Sequence, residues 1–240
     1  VTHPVLAEAV TQFQAQAYKE LLPADGPVRT QIMGDANVAK EEQSKRVKDF
    51  MNYQIMDQMK EYEPEFDQML FYLPLSGSTF KKVYYDDLLG RAVSKFIPAE
   101  DLVVPYSATS LEDAEAVIHV IRMSPNDLRK QQINGFYRDI DLGDPPVQED
   151  KLKQKELELE GVTANGTEDV YTVLEMHVDV DLEGHEDVNP EDGEPTGIKL
   201  PYIITIDEAN EKVLSIRRNY APEDPLKKKK DYFVHFKFLP

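Results

Sequence analysis

The chain contains no cysteine. Disulfide scaffolds, thiol nucleophiles and cysteine-ligated zinc or iron–sulfur sites are excluded on that ground alone. The lack fits a reducing compartment without demanding one. No apolar run approaches the roughly 18 residues that span a bilayer, and Val1-Thr2-His3-Pro4 has neither the basic opening nor the apolar stretch of a signal peptide. A soluble intracellular protein is the expectation. Also missing are a G-x-S-x-G elbow, a Walker loop and a dinucleotide fingerprint. Gly77 stands between Ser76 and Ser78 without the second glycine and lysine that a phosphate cradle needs.

Base is scarce as well: 27 Lys and Arg face 45 Asp and Glu, a net charge of −18. Between Asp141 and Pro195 there are 18 acids and three lysines, a local −15, which leaves 27 acids against 24 bases elsewhere. An acidic surface repels phosphate and argues against a protein that reads nucleic-acid sequence through basic side chains. It leaves room for one that lets DNA slide past without gripping it. With 240 residues, 41% hydrophobic and 9% aromatic, the chain is a globular one with room for one large domain or two modest ones.

The hydrophobic pattern falls into two regimes. Leu6, Ala9, Val10, Phe13, Ala17 and Leu21 recur at helical spacing up to Pro23 and the Asp25-Gly26-Pro27 turn. A second helix is expected from Val38 to about Tyr62, with Val47, Phe50, Met51, Ile55, Met59 and Tyr62 on its apolar stripe. A third runs from Glu63 to Leu75, with Pro74 ending or kinking it. After Ser78 the period shortens to two. Phe80–Tyr85 and Ala92–Ile97 read as a hairpin, followed by strands at Leu102–Val104 and Val117–Met123 and a short helix near 125–136 capped by Ser124. Val170 to Leu182 alternates most clearly, which puts Leu174, Met176, Val178 and Val180 inside and Tyr171, Val173, Glu175 and His177 in water. Ile203–Asp207, Lys212–Arg218 and Tyr232–Phe238 complete the strands. The expectation is an α+β fold: a helical segment over 1–78, then a mainly antiparallel β region over 79–240 with an acidic insertion near 141–195. Because the last strand runs to Pro240 without a cap or polar tail, the chain reads as truncated.

Chemistry finds little purchase. Asp179-Val180-Asp181-Leu182-Glu183-Gly184 opens like a calcium loop, but Pro190 stands where the closing bidentate glutamate belongs and Glu186 where an apolar residue belongs. The wet face of a strand explains those acids. His177 and His185, among Glu175, Asp179, Asp181, Glu183, Glu186 and Asp187, offer metal-type ligands without a recognised spacing, and read as surface histidines. His119 and His235 sit within apolar strands and read as structural. The carboxylate pairs Glu61 and Glu65, and Glu156 and Glu160, have helical spacing, which 45 acids produce by chance. Lys227 to Lys230 reads as a solvated turn, with a phosphate or acidic-surface contact as the alternative. No catalytic, cofactor-binding or metal residue is assigned, and no enzyme activity is expected.

Two stretches carry a resemblance: Leu70-Phe71-Tyr72-Leu73-Pro74-Leu75-Ser76-Gly77-Ser78-Thr79-Phe80-Lys81-Lys82-Val83-Tyr84-Tyr85-Asp86, then Phe96-Ile97-Pro98-Ala99-Glu100-Asp101-Leu102-Val103-Val104-Pro105. Together with Arg46–Tyr53, Asn126–Lys130 and Tyr232–Pro240, they resemble portal proteins of tailed bacteriophages, the short-tailed phage group. The likeness covers most of the chain and is weakest across Asp141 to Leu200. It implies the wing region of a portal subunit, truncated before the stem helices. Such subunits assemble as a ring of twelve at one capsid vertex, in the virion and, during assembly, in the host cytoplasm. The partners implied are other portal subunits, capsid protein, terminase and tail or head-completion proteins, with double-stranded DNA passing through without tight binding and no membrane. Two further readings come from other classes: a metal-dependent hydrolase using His177, His185 and nearby acids, and an acidic module that mimics DNA.

Overall fold

The computed structural model describes residues 4–87, 89–145, 170–189 and 192–239. The fold is α+β, with helices first and antiparallel strands after them. In chain order the elements are α1 (Val5–Leu21), α2 (Val38–Tyr53), α3 (Tyr62–Ser76), β1 (Ser78–Asp86), β2 (Arg91–Ile97), β3 (Leu102–Val103), β4 (Ala116–Met123), α4 (Pro125–Ile133), β5 (Tyr171–Val180), β6 (Leu200–Asp207), β7 (Lys212–Arg218) and β8 (Phe233–Lys237). Among the described residues no helix is long and apolar enough to cross a membrane.

The chain forms two compact units, Val1–Glu100 with Asp231–Pro240, and Asp101–Lys230. The change from helices to strands falls at 76–78, and the compact units divide elsewhere. The β1–β2 hairpin belongs with the helices, and the last strand returns to it in the order β2-β1-β8. Periodicity identifies an element's type but carries no information about which sheet it joins, so the division was not readable from the pattern.

In unit 1, α1 and α3 close over the three-stranded sheet. Leu22, Phe66, Met69 and Leu70 are buried there, with Phe13, Tyr18, Tyr62, Phe96 and Phe236 packed around them. Fully burying a side chain of this size contributes about 1.5–3 kcal/mol, so this cluster is what holds the layers together. Helix α3 runs two residues past Pro74 and stops at Gly77, whose left-handed φ of 73° lets its N–H reach the Leu73 carbonyl at 2.9 Å.

Helix α2 departs from expectation. It ends at Tyr53, passes through a π-turn at Gln54–Gln58 and stops at Met59, and no residue of α2 is buried. Its attachment is polar. The Asn52 side chain accepts from Val28 N–H at 2.9 Å and donates to the Asp25 and Val28 carbonyls, both at 3.2 Å. A Cβ on Gly26 would come within 2.4 Å of Asn52, so glycine is required at that turn. The π-turn inserts an extra residue, so Met59 and Tyr62 do not continue the stripe of Val47 and Phe50.

Unit 2 is a five-stranded antiparallel sheet in the order β3-β4-β5-β6-β7. Leu214 is the extra residue of a bulge between the Thr205–Ser215 and Ile206–Val213 pairs, and it is driven into a core with Leu128 of α4, Tyr137, Leu142, Tyr171 and Val173. The face assignment of β5 is corrected here: Tyr171 and Val173 are core, Glu175 and His177 are largely buried, and Met176 is only half-buried. The cause is tertiary. Helix α4 and the segment after it cover the face at Tyr171 and Val173, whereas the row of Leu174, Met176 and Val178 is covered only toward its far end, where Val180 and Leu182 pack on the buried Leu200, Tyr202 and Tyr220.

Candidate functional site

The most unusual chemistry in unit 1 is a buried amine. Lys81 lies on β1 between Lys95's neighbour Ser94 and α3, with 4% of its surface exposed. Its Nζ stands 4.2 Å from the Tyr62 ring centre and 5.3 Å from that of Phe66, and donates to Ser94 Oγ at 3.3 Å. Burial pulls this amine down to about 8, while Glu65 and Glu61 push the other way. Those carboxylates are themselves engaged. Glu61 Oε1 accepts from Arg91 at 2.7 Å, and Glu65 Oε2 accepts from the Phe96 N–H at 2.7 Å. For Glu61, burial works upward, and the Arg91 guanidinium with backbone hydrogen bonds outweighs it and lowers the carboxyl. A lysine with a depressed pKa is a nucleophile by type. This one is enclosed by two rings, so its role is to pin α3 onto the sheet. Sequence reasoning passed it over, since a strand lysine next to Lys82 carries no mark of burial.

A second pair joins β1 to β8. Ser78 Oγ and His235 Nε2 are 2.5 Å apart, and the imidazole stacks on Phe80 at 4.6 Å between centres. Burial, then the nearby Lys237 charge, hold the His235 imidazole below its usual range. Serine beside histidine is the beginning of a nucleophilic centre. The neighbouring Gly77 N–H is already committed to Leu73, so that donor is not open to an oxyanion. The pair clamps two strands.

In unit 2 the histidines separate. His177 Nε2 meets Glu175 Oε1 at 2.8 Å on β5, and Glu175 lies opposite His119 of β4 in the ladder. This gathering of His119, Glu175 and His177 comes from strand register and was invisible in the spacing. His185 stands exposed in the turn after β5, its N–H bonded to Leu182 and its carbonyl accepting from Tyr202 at 3.3 Å. Among the described residues no group of three His, Asp or Glu side chains is arranged to hold a metal ion. The calcium-like acids are dispersed too. Asp181 and Glu183 are exposed, Glu186 accepts from the Gly184 N–H at 2.9 Å, and Asp187 accepts from Thr196 Oγ1 at 2.8 Å and from Lys227. The Lys227 hydrogen bond, then that of Thr196, lowers the Asp187 carboxyl. Pro190, Glu156 and Glu160 lie outside the described residues.

The lysine run is half spent inside the fold. Lys227 is paired with Asp187, and Lys229 Nζ donates to the Glu112 carbonyl at 2.7 Å. Lys228 and Lys230 are the exposed pair. A cleft of about 340 Å³ opens between α4 and the following segment beside Leu128, Gln132, Ile140 and Tyr171. Of its charged groups, Arg129 and Asp139 are bonded to each other and Asp141 Oδ1 accepts from the Gly143 N–H at 2.9 Å, and Gln132 Nε2 is taken by the Ile140 carbonyl at 2.8 Å. The chain matches no protein-family model, and no curated protein matches it.

Proposed function

We propose that the chain is the wing-region segment of a portal subunit of a tailed bacteriophage. Twelve copies would form a ring at one capsid vertex, the channel through which double-stranded DNA is packaged and ejected. The observation that carries this reading is the ordered set of motifs. Leu70–Asp86 forms the end of α3 and β1, Phe96–Ile97 ends β2, and Phe233–Lys237 pairs with β1 from the other side. Three of these stretches, far apart in sequence, thus meet in one small sheet, while Leu102–Val103 and Asn126–Lys130 belong to the second unit.

Charge supports the same reading. Unit 2 holds 29 acids against 15 bases, a net −14, and such a surface repels the phosphates of a passing duplex. In this role the chain binds neighbours, namely other subunits, capsid protein, terminase and tail proteins, and performs no chemistry of its own. The test is native mass measurement with electron microscopy of the natural protein that contains this chain. A twelve-membered ring with a central channel supports the proposal, and a stable monomer at micromolar concentration removes it. One tightly held metal ion per chain after dialysis would favour the hydrolase reading instead.

A further inference from the structure

Helix α2 is built inside out. At about 100° per residue, Ser44 and Asn52 fall on the side facing the 25–30 segment, where Asn52 clamps the turn and Ser44 Oγ donates to Thr30 Oγ1 at 2.8 Å. Val47, Phe50 and Met51 form a stripe centred about 110° around the helix from that side and are exposed, Phe50 by 58%. Lys40 falls within this stripe, its Nζ donating to the Asp35 carbonyl at 2.7 Å, and Arg46 lies at its edge, whereas Glu41, Glu42 and Asp49 fall on the other half of the helix. The result is an apolar face whose charges are positive. A contiguous apolar stripe of this kind marks an interaction surface.

The complementary surface is present in unit 2. Among the described residues between Asp179 and Lys199 there are seven acids and one base, with Lys227 paired to Asp187. Two large apolar side chains stand exposed among them, Val188 at 50% and Ile198 at 59%. The loop is braced. Val188 bridges to Pro195, the Thr196 N–H reaches the Asp187 carbonyl at 2.8 Å, and the Asn189 N–H reaches the Glu194 carbonyl at 2.9 Å. Its described residues therefore present two apolar groups on an acidic segment, the inverse of α2.

We infer that the α2 stripe docks on the Val188 and Ile198 surface of a second copy of this chain, in a head-to-tail contact steered by charge. Opposite signs at the two surfaces select this pairing over a symmetric one, since α2 against α2 would set Arg46 and Lys40 against their own kind. A contact between two different patches of the same chain propagates, and it closes into a ring when the rotation per copy divides a full turn. The closed form rests on the ring reading above; the contact itself does not.

Because the chain has no cysteine, the contact can be tested with single introduced thiols. Phe50→Cys and Ile198→Cys chains are mixed in equal amounts and oxidised mildly. Phe50→Cys with Tyr106→Cys serves as control, Tyr106 being fully exposed on unit 2. The expected result is covalent dimer forming at least tenfold faster in the first mixture. That rate should fall severalfold at about 1 M salt, where the Debye length is about 3 Å. It should also fall with Arg46→Glu and recover when Glu183→Lys is placed on the Ile198→Cys chain. Equal rates in the two mixtures, fastest pairing of Phe50→Cys with itself, or indifference to salt would overturn the inference. So would protection of the Phe50→Cys thiol by a short duplex or by anionic vesicles but not by added wild-type chain. Rings in the natural protein without this cross-link would sink the contact and leave the ring reading standing. The cross-link without rings would keep the contact and sink the ring reading.

Discussion

Unit 1 carries sixteen acids against twelve bases and buries one of those bases, Lys81, under α3; unit 2 carries twenty-nine against fifteen and packs an apolar cluster under α4, with most of its acids outside. In unit 1 the enclosed charge faces two aromatic rings and two carboxylates, each carboxylate engaged elsewhere. In unit 2 the acids repel one another along loops that hydrogen bonds hold in place, such as Asp187 to Thr196. The contrast teaches that a net charge is a poor guide to where electrostatics matters. The nearly balanced unit holds its strongest perturbation inside, and the strongly acidic unit spends most of its charge on the surface, with Asp207 its fully buried exception.

The largest expected effect tests where unit 2 keeps its core. Val173 is fully buried, and Val173→Asp places an unpaired carboxylate there at a cost of several kcal/mol, a large share of a typical stability of about 5–15 kcal/mol. Met176→Asp, on the half-buried face, should cost about half as much or less. Amide exchange should show β4–β7 unprotected in Val173→Asp while β1 and β2 stay protected. Equal losses for the two variants would contradict the face assignment.

Next in size is the buried amine. Lys81 titrates near 8 in the folded chain, below the 10.5 of a free lysine, so between those values the unfolded chain holds a proton that the folded chain has lost. Stability therefore rises with pH across that window, by at most about 3 kcal/mol. At neutral pH the folded chain carries the charge at a cost. Lys81→Met should raise the urea midpoint at pH 7 and flatten the rise toward pH 10. Parallel profiles for the two proteins would show that Lys81 is not buried as a cation.

The smallest effect concerns Thr79, fully buried on β1, whose hydroxyl has no hydrogen-bond partner among the described residues. Thr79→Val keeps the shape and removes a polar group that gains nothing, so thermal unfolding should show a change between zero and about 1 kcal/mol of stabilisation. A loss larger than that would reveal a bond to the hydroxyl that the folded chain relies on.

These positions also mark how far the sequence could be read. Element types were legible where local rules suffice: Ser124 and Pro125 start α4, and the alternation of Phe80–Tyr85 and Ala92–Ile97 gives the hairpin. The α+β class followed. Side-chain environments were not legible, because they depend on what arrives from elsewhere. Val173 is core because α4 lands on it, Lys81 is buried because Tyr62 and Phe66 close over it, and Phe50 is exposed because Asn52 takes the inward side of α2. The meeting of Glu175 with His119 likewise depends on register across two strands.

The claim that this chain lets a duplex pass without gripping it is tested most directly by its affinity for DNA. Of the four consecutive lysines, Lys227 and Lys229 are committed within the fold, which leaves Lys228 and Lys230 to face phosphate. Two phosphate contacts give a salt slope near −1.8 at about 0.9 per phosphate. Titration of a short duplex at about 0.15 M ionic strength should therefore show binding weaker than about 10⁻⁴ M with no sequence preference. Submicromolar, salt-resistant binding would contradict the account and make the chain a nucleic-acid-binding protein.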